Sequence, residues 1–406
     1  MSSDEVILPV LPDPPDGRPW QAPAALEERL YGLCQAREAG DERASYDYLR
    51  VIAAQGLYRP VPIHAGVDAP PVVITLSDGT RVVVVYTAGV LPQPHDEIVY
   101  EFVTLHRLGR LWPDDVEALG VNLQTPCEAW FAFDEEEREI WTELTQDLFR
   151  PDDLADRVET RRTGTPADKE TLRGLACGAH LCYANGDAWN TLDWHGAGFS
   201  AEVERLAESW GITDHDSWAD TQQRLLACEV SPWAWDFTLD ARTWLLQQFG
   251  RADITLWRDT VEQTLRDRIS GSVPEEEIER TATALRLLVG QIARYEARFR
   301  ADGLLPPDGH VRTVAAWDLG RATMVARWGL GARHATQHEM RTAVERAGAD
   351  VRNRYGDWAE FSAGYVLGRC LHFDEETFGT WYTSVLDAHH ALTSAPDSPW
   401  LTVPLH

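Results

Sequence analysis

Two arginines set in apolar helical stripes are the residues of this 406-residue chain with the clearest capacity for chemistry. At about 100° per residue, Trp317, Arg321, Met324 and Trp328 share one helix face, with Asp318 at its flank. Trp358, Ser362, Tyr365 and Arg369 repeat the arrangement further along. A guanidinium on such a face must be paired, stacked on an aromatic ring or bound to an anion, because leaving it bare is costly. Two arrangements meet that demand. In the first, Asp318 pairs Arg321, Asp357 or Asp374 serves Arg369, and tryptophans stack on both, giving a specified helical core. In the second, Arg321 and Arg369 converge on a pocket for a carboxylate or phosphate, and Asp318, Trp317, Trp328 and Trp358 complete the ligand site. No Gly-rich anion loop accompanies the arginines, which favours the first.

Other chemistries find less support. His334 and His338 have the i, i+4 spacing of a zinc-chelating pair, but the zincin pattern needs a glutamate inside the pair and Glu339 lies outside it. Thr336 and Glu339 instead have the spacing of a capping box, which puts His334 ahead of the helix. No metal and no cofactor are expected. Asp214-His215-Asp216 reads as a helix start with acids near the positive dipole end. His180, His195 and His389-His390 read as satisfied core or surface histidines. No G-x-S-x-G elbow and no P-loop occurs, and the single lysine, Lys169, sits in a Thr/Gly/Pro-rich stretch. Six scattered cysteines without a C-x-x-C pair describe packed, reduced thiols in a cytosolic protein. With no catalytic motif, whether the protein is an enzyme stays open.

Composition narrows the partners. Lys plus Arg number 37 against 65 Asp plus Glu, so the net charge is −28, on a chain that is 44% hydrophobic. That surface repels phosphate backbones and anionic lipid, so neither nucleic acid nor membrane is an expected partner. Met1 to Asp16 lacks the basic start and apolar core of a signal peptide, and Val82 to Leu91 is too short to span a bilayer. A cytoplasmic location follows as the expectation.

The elements that must position these residues fall into two groups. A proline-rich tail occupies 1–23. Helical spacing then covers Ala24–Glu38 and Glu42–Ala54, followed by short β-branched or aromatic runs at Gly56–Ile63, Val72–Leu76, Arg81–Thr87 and Ala129–Phe133, with a Ser77-Asp78-Gly79 hairpin turn. These predict an α+β domain over 24–150. A charged stretch without periodicity, 151–170, reads as a linker. Beyond it, ten segments from Leu172–Tyr183 to Phe378–His390 carry helical spacing, which predicts a mainly α-helical C-terminal domain over 171–392 and a C-terminal tail over 393–406.

Two resemblances rest on particular motifs. Leu57-Tyr58-Arg59-Pro60-Val61-Pro62, the strand ending Tyr86-Thr87-Ala88 and the turn at Asn122-Leu123-Gln124 resemble the N-terminal domain of the SseB family over residues 26–145. That family usually has Phe-Thr-Ser and Asn-Pro-Gly at the last two places. Trp210-Gly211-Ile212-Thr213, Trp317-Asp318-Leu319-Gly320-Arg321, Arg327-Trp328-Gly329 and Gly356-Asp357-Trp358 with Gly368-Arg369 resemble the YbeU/YbeR-like family, domain of unknown function 1266, over residues 173–390. Neither resemblance implies a known reaction. Two such domains, 17 tryptophans and no catalytic motif point to an accessory protein that binds a protein partner, with secretion or toxin neutralisation as a role by analogy. The alternative is an enzyme or small-molecule binder using the anion pocket of the helical domain.

Overall fold

The computed structural model describes residues 20–62, 69–92, 98–150, 168–190, 192, 199–269 and 271–406. The expected tail lies outside the described residues up to 19, and the expected linker up to 167; His195 lies outside them too.

The N-terminal half is the expected α+β domain. Helices α1 (Ala25–Glu38) and α2 (Ala44–Gln55) lead into β1 (Leu57–Pro62), β2 (Val73–Thr75), β3 (Arg81–Val85), β4 (Ile98–Val103), α3 (Leu105–Arg110), β5 (Ala118–Val121), β6 (Ala129–Ala132) and α4 (Glu135–Leu148). Strands β2, β3, β5 and β6 form one sheet in that order, with β3 and β5 parallel and the outer pairs antiparallel. Strands β1 and β4 form a separate antiparallel pair, joined to the sheet by the Tyr58–Tyr86 bridge. The valine run of β3 is buried on both faces because side chains alternate along a strand. Val83 and Val85 pack with Leu30, Tyr48, Ile52 and Trp141 from the helices, whereas Val82 and Val84 pack with Leu123. The sequence reading missed β4 and β5. β5 is short, and Ala118-Leu119-Gly120-Val121 has neither the β-branched density nor the alternation that marks a strand, whereas the six-residue β4, Ile98-Val99-Tyr100-Glu101-Phe102-Val103, carries that density in its own sequence.

The turn after β5 brings together two of the N-terminal motifs. Asn122 and Gln124 have φ values of +55° and +64°, a region that side-chain-bearing residues enter at a cost of about 1 kcal/mol. The buried Asn122 side chain accepts from the Thr87 backbone N–H at 2.7 Å, so the Tyr86-Thr87-Ala88 and Asn122-Leu123-Gln124 motifs form one joint between the ends of two neighbouring strands.

The C-terminal half is helical: α5 (Lys169–Cys177), α6 (Ala179–Asn185), α7 (Phe199–Trp210), α8 (His215–Leu226), α9 (Trp233–Phe249), α10 (Ile254–Ile269), α11 (Glu275–Ala301), α12 (Ala315–Gly331), α13 (Gln337–Arg354), α14 (Trp358–Phe373), α15 (Thr380–Ser394) and α16 (Pro399–Thr402). None of the described helices is long and apolar enough to cross a membrane. The expected helix over Leu172–Tyr183 is broken at Gly178, where a Cβ would stand 2.9 Å from the Met324 sulfur. The C-terminal segment expected as a tail is part of the core. Its Trp400 is buried, stacks on Trp358 at 6.1 Å and donates through Nε1 to the Ala176 carbonyl at 3.0 Å, while Trp358 Nε1 donates to the Val403 carbonyl at 2.8 Å. Sequence periodicity misses such a segment because one turn of helix is too short to show a period.

At the centre lies α12, buried along its whole length and wrapped by α5, α7, α8, α13 and α14. The halves of the chain also touch: Glu101 of β4, itself buried, accepts from Arg59 of β1 and from Arg333, just beyond α12, each at 3.1 Å.

Glycines set the spacing of the helical layers. A Cβ on Gly174 of α5 would stand 2.1 Å from the Val344 carbonyl oxygen of α13, and one on Gly348 of α13 would stand 2.7 Å from the Gly174 nitrogen. Elsewhere in a helix, glycine to alanine stabilises by up to about 1 kcal/mol; here overpacking reverses the sign. Gly174→Ala should therefore destabilise by about 2 kcal/mol in urea melts, and an unchanged or raised midpoint would refute the close crossing.

Candidate functional site

Asp318 and Arg321 project from the first turns of α12, where three-residue spacing places both over the same edge of the helix. They form a buried ion pair. The Asp318 carboxylate is fully buried and also accepts from the Ser231 backbone N–H at 3.0 Å and the Ser231 hydroxyl at 2.8 Å. Arg321 Nε donates to the Trp317 carbonyl at 3.0 Å, and its guanidinium lies 4.3 Å from the Trp317 ring centre and 5.5 Å from that of Trp210. Burial pulls the Arg321 pKa down and the neighbouring Asp318 opposes it. Two of the pair's partners lie beyond the reach of sequence periodicity: Ser231 precedes α9, and Trp210 ends α7.

The six expected site residues are not brought together. Trp317, Asp318 and Arg321 form one cluster, and Arg369 approaches it through Tyr365, whose ring meets Trp317 edge-on at 5.0 Å. Trp328 lies three turns away along α12, under the guanidinium of Arg205 at 5.0 Å. Trp358 lies three turns from Arg369, stacked on Trp400. The expected carboxylates for Arg369 are occupied elsewhere: Asp357 caps α14, accepting from the Glu360 N–H at 2.7 Å, and Asp374 accepts from Tyr295 Oη and the Phe378 N–H, both at 3.0 Å. An open cavity of about 360 Å³ lies in the other domain, lined by Leu26, Arg29, Arg50, Val51 and Leu148 among others.

The expected helix start at Thr336 carries its capping box, with the Glu339 N–H donating to Thr336 Oγ1 at 3.2 Å and the Thr336 N–H to Glu339 Oε2 at 2.9 Å. His334 therefore precedes the helix that carries His338. The Asp214-His215-Asp216 start is likewise capped, by Asp214 and Ser217. His215 reaches Glu339 at 2.9 Å, and that carboxylate, hydrogen-bonded to His215 and Thr336 against the cost of burial, titrates at about 2. Among the described residues, no group of three or more His, Cys, Asp or Glu is arranged to hold a metal ion.

A second buried polar chain runs through the core. Ser362 of α14 lies between His180 of α6 and His389 of α15, with Oγ 2.9 Å from His180 Nε2 and 2.8 Å from His389 Nδ1. All three are buried, and the His180 ring stacks on Tyr365 at 4.3 Å. His180 Nδ1 has no hydrogen-bond partner among the described residues. A bare lone pair is tolerated there better than a stranded N–H, so His180 donates from Nε2 to Ser362, and Ser362 donates to His389 Nδ1. Burial keeps both rings neutral, pushing His180 well below its ordinary range and His389 down to about 4. The sequence placed Ser362 on the Tyr365 face but held no sign of its two histidine partners.

This geometry defines an all-helical domain built round one buried, ion-paired helix. Residues 205–405 match the model of DUF1266, a family of proteins of unknown function. The match overlaps the expected resemblance and extends through the packed C-terminal segment. No curated protein and no solved structure matches the chain.

Two outcomes test the site. Arg321→Ala and Asp318→Ala should each destabilise by about 3 kcal/mol, since each strands a buried partner, and the double variant should lose clearly less than the sum. Additive effects below 1 kcal/mol would refute the pair. For the histidines, depressed folded pKa values mean that below about pH 6.5 the unfolded chain takes up protons that the folded chain refuses. Stability is therefore complete above that pH and is lost as pH falls towards 4, at up to about 1.4 kcal/mol per pH unit for each ring. Urea melts from pH 7.5 to 5.0 should show His389→Gln with a shallower slope than wild type by roughly that amount.

Proposed function

We propose that this protein is a cytoplasmic accessory protein that binds a basic protein partner through its helical domain, in a secretion-linked or toxin-neutralising role. The observation that carries this reading is the outer face of α9. Trp233 and Trp244 are 60% and 48% exposed, and their eleven-residue separation is close to three turns, so both stand on one side of the helix. Asp240 lies between them on the same side, and Trp233 meets edge-on, at 5.4 Å, the ring of Phe237, which is buried under the Arg268 guanidinium. Tryptophans are frequent anchors of protein interfaces, and acids beside them on a chain of charge −28 suit a positively charged surface. The same charge opposes nucleic acid as a partner.

The N-terminal domain enters this reading as an SseB-like module. Support comes from the joint between Thr87 and Asn122 and from the left-handed backbone at Gln124, where the family pattern has glycine.

Affinity capture from host extract tests the proposal. The wild type should retain a discrete basic protein that Trp233→Ala/Trp244→Ala, with an unchanged melting temperature, fails to retain. Recovery of the same proteins by both forms would overturn it.

A further inference from the structure

Arg369 stands apart from the other cations of its cluster in a protein that has acids to spare. Among the described residues no carboxylate pairs with it. Its guanidinium rests instead against Trp381 at 5.3 Å and Phe373 at 5.9 Å. Those two rings stack on each other at 4.8 Å and are both exposed, so the cluster opens to solvent on that side. One turn back on α14, Tyr365 is buried against Trp317, and the helices approach closely here because a Cβ on Gly368 would stand 2.5 Å from the Trp317 Cβ.

Three hydrogen-bond donors in this cluster, Arg369 Nε, Tyr365 Oη and Trp317 Nε1, are shut off from solvent and lack an acceptor among the described residues, while the Tyr365 oxygen is itself approached by the Arg369 guanidinium. Buried donors are normally paired, and neighbouring unpaired donors next to an uncompensated cation are complementary to an oxyanion. Burial raises the Tyr365 pKa to about 12, with Arg369 and Arg321 both opposing the rise, which keeps the hydroxyl a donor at neutral pH.

Charge and shape narrow the ligand. Asp318 neutralises Arg321, and burial together with Arg321 lowers the pKa of the nearby His372, which leaves Arg369 as the one uncompensated positive charge of this cluster. A single positive charge suits a monoanion better than a phosphate dianion, and a planar guanidinium matches a carboxylate. The exposed rings of Phe373 and Trp381 offer an apolar wall beside it. We propose that Arg369, Tyr365 and Trp317 bind the carboxylate of an organic monocarboxylic acid whose apolar body lies against Phe373 and Trp381. The inference stands apart from the α9 surface, so either can fail without the other.

Calorimetric titration of the full chain with phenylacetate, acetate and inorganic phosphate tests it. Phenylacetate should bind saturably at one site, with acetate at least about tenfold weaker and phosphate no tighter than acetate. Arg369→Gln should weaken phenylacetate at least about tenfold, and Trp381→Ala, at an exposed position, several-fold. Arg369→Met should melt at or above the wild-type temperature, because a ligand-directed cation adds nothing to the unliganded fold. Absence of saturable phenylacetate binding, affinity unchanged in the variants, or tighter binding of phosphate would each overturn the proposal. If Arg369→Gln fails to fold, Trp381→Ala decides between these outcomes.

Discussion

Because α12 is buried along its whole length, the charges of Asp318 and Arg321 have to be covered from within the protein. Asp318 and Arg321 meet that constraint by pairing with each other and by drawing in Ser231, Trp317 and Trp210 from the surrounding elements. A buried ion pair of this kind is a poor source of net stability, since desolvation offsets much of the attraction. Its consequence is specificity: the loop before α9 and the end of α7 must arrive in one position for the charges to be covered. Further along the same helix, Arg327 donates to the Ala188 carbonyl at 2.6 Å, which ties the segment after α6 to α12 as well.

Close packing is the second consequence of a central helix with so many neighbours. Gly320 faces the Tyr365 ring, Gly329 the Trp218 ring and Gly368 the Trp317 side chain, each where a Cβ would come within 3 Å. The tryptophans of the helical domain divide along this line. Trp218 and Trp317 fill such gaps, and Trp218 and Trp400 use their indole N–H groups on the Val325 and Ala176 carbonyls. Trp233, Trp244 and Trp381 stand on the surface. Packing against α12 needs the first group and partner contact falls to the second, whereas the carboxylate site would draw on both, on Trp317 in the core and on Trp381 at the surface.

The two halves of the chain meet through charge. Glu101 lies between Arg59 and Arg333, and Arg333 also stacks over Phe199 at 4.0 Å. Val61 of β1 belongs to the same apolar cluster as the helical core. The α+β domain is therefore anchored near the C-terminal end of α12, and the cluster of Asp318, Arg321 and Arg369 lies at the other end.

The sequence by itself determined the division into an α+β and a helical half and the local chemistry of helix ends. Helical spacing and the Thr336–Glu339 and Asp214–Ser217 caps depend on residues within a turn of each other, so they are visible without a fold. The Asp318–Arg321 pair was legible for the same reason. Tertiary structure decided what meets these residues: that Ser231 caps Asp318, that Ser362 bridges two histidines from different helices, that Arg369 lacks the carboxylate that local spacing had offered it, and that Trp328 and Trp358 stand away from the arginines. Those contacts join residues up to 182 positions apart, and no periodicity carries information over that distance. The short strand β5 and the packed C-terminal segment were hidden for a related reason, since their structure comes from neighbours across the fold rather than from their own sequence pattern.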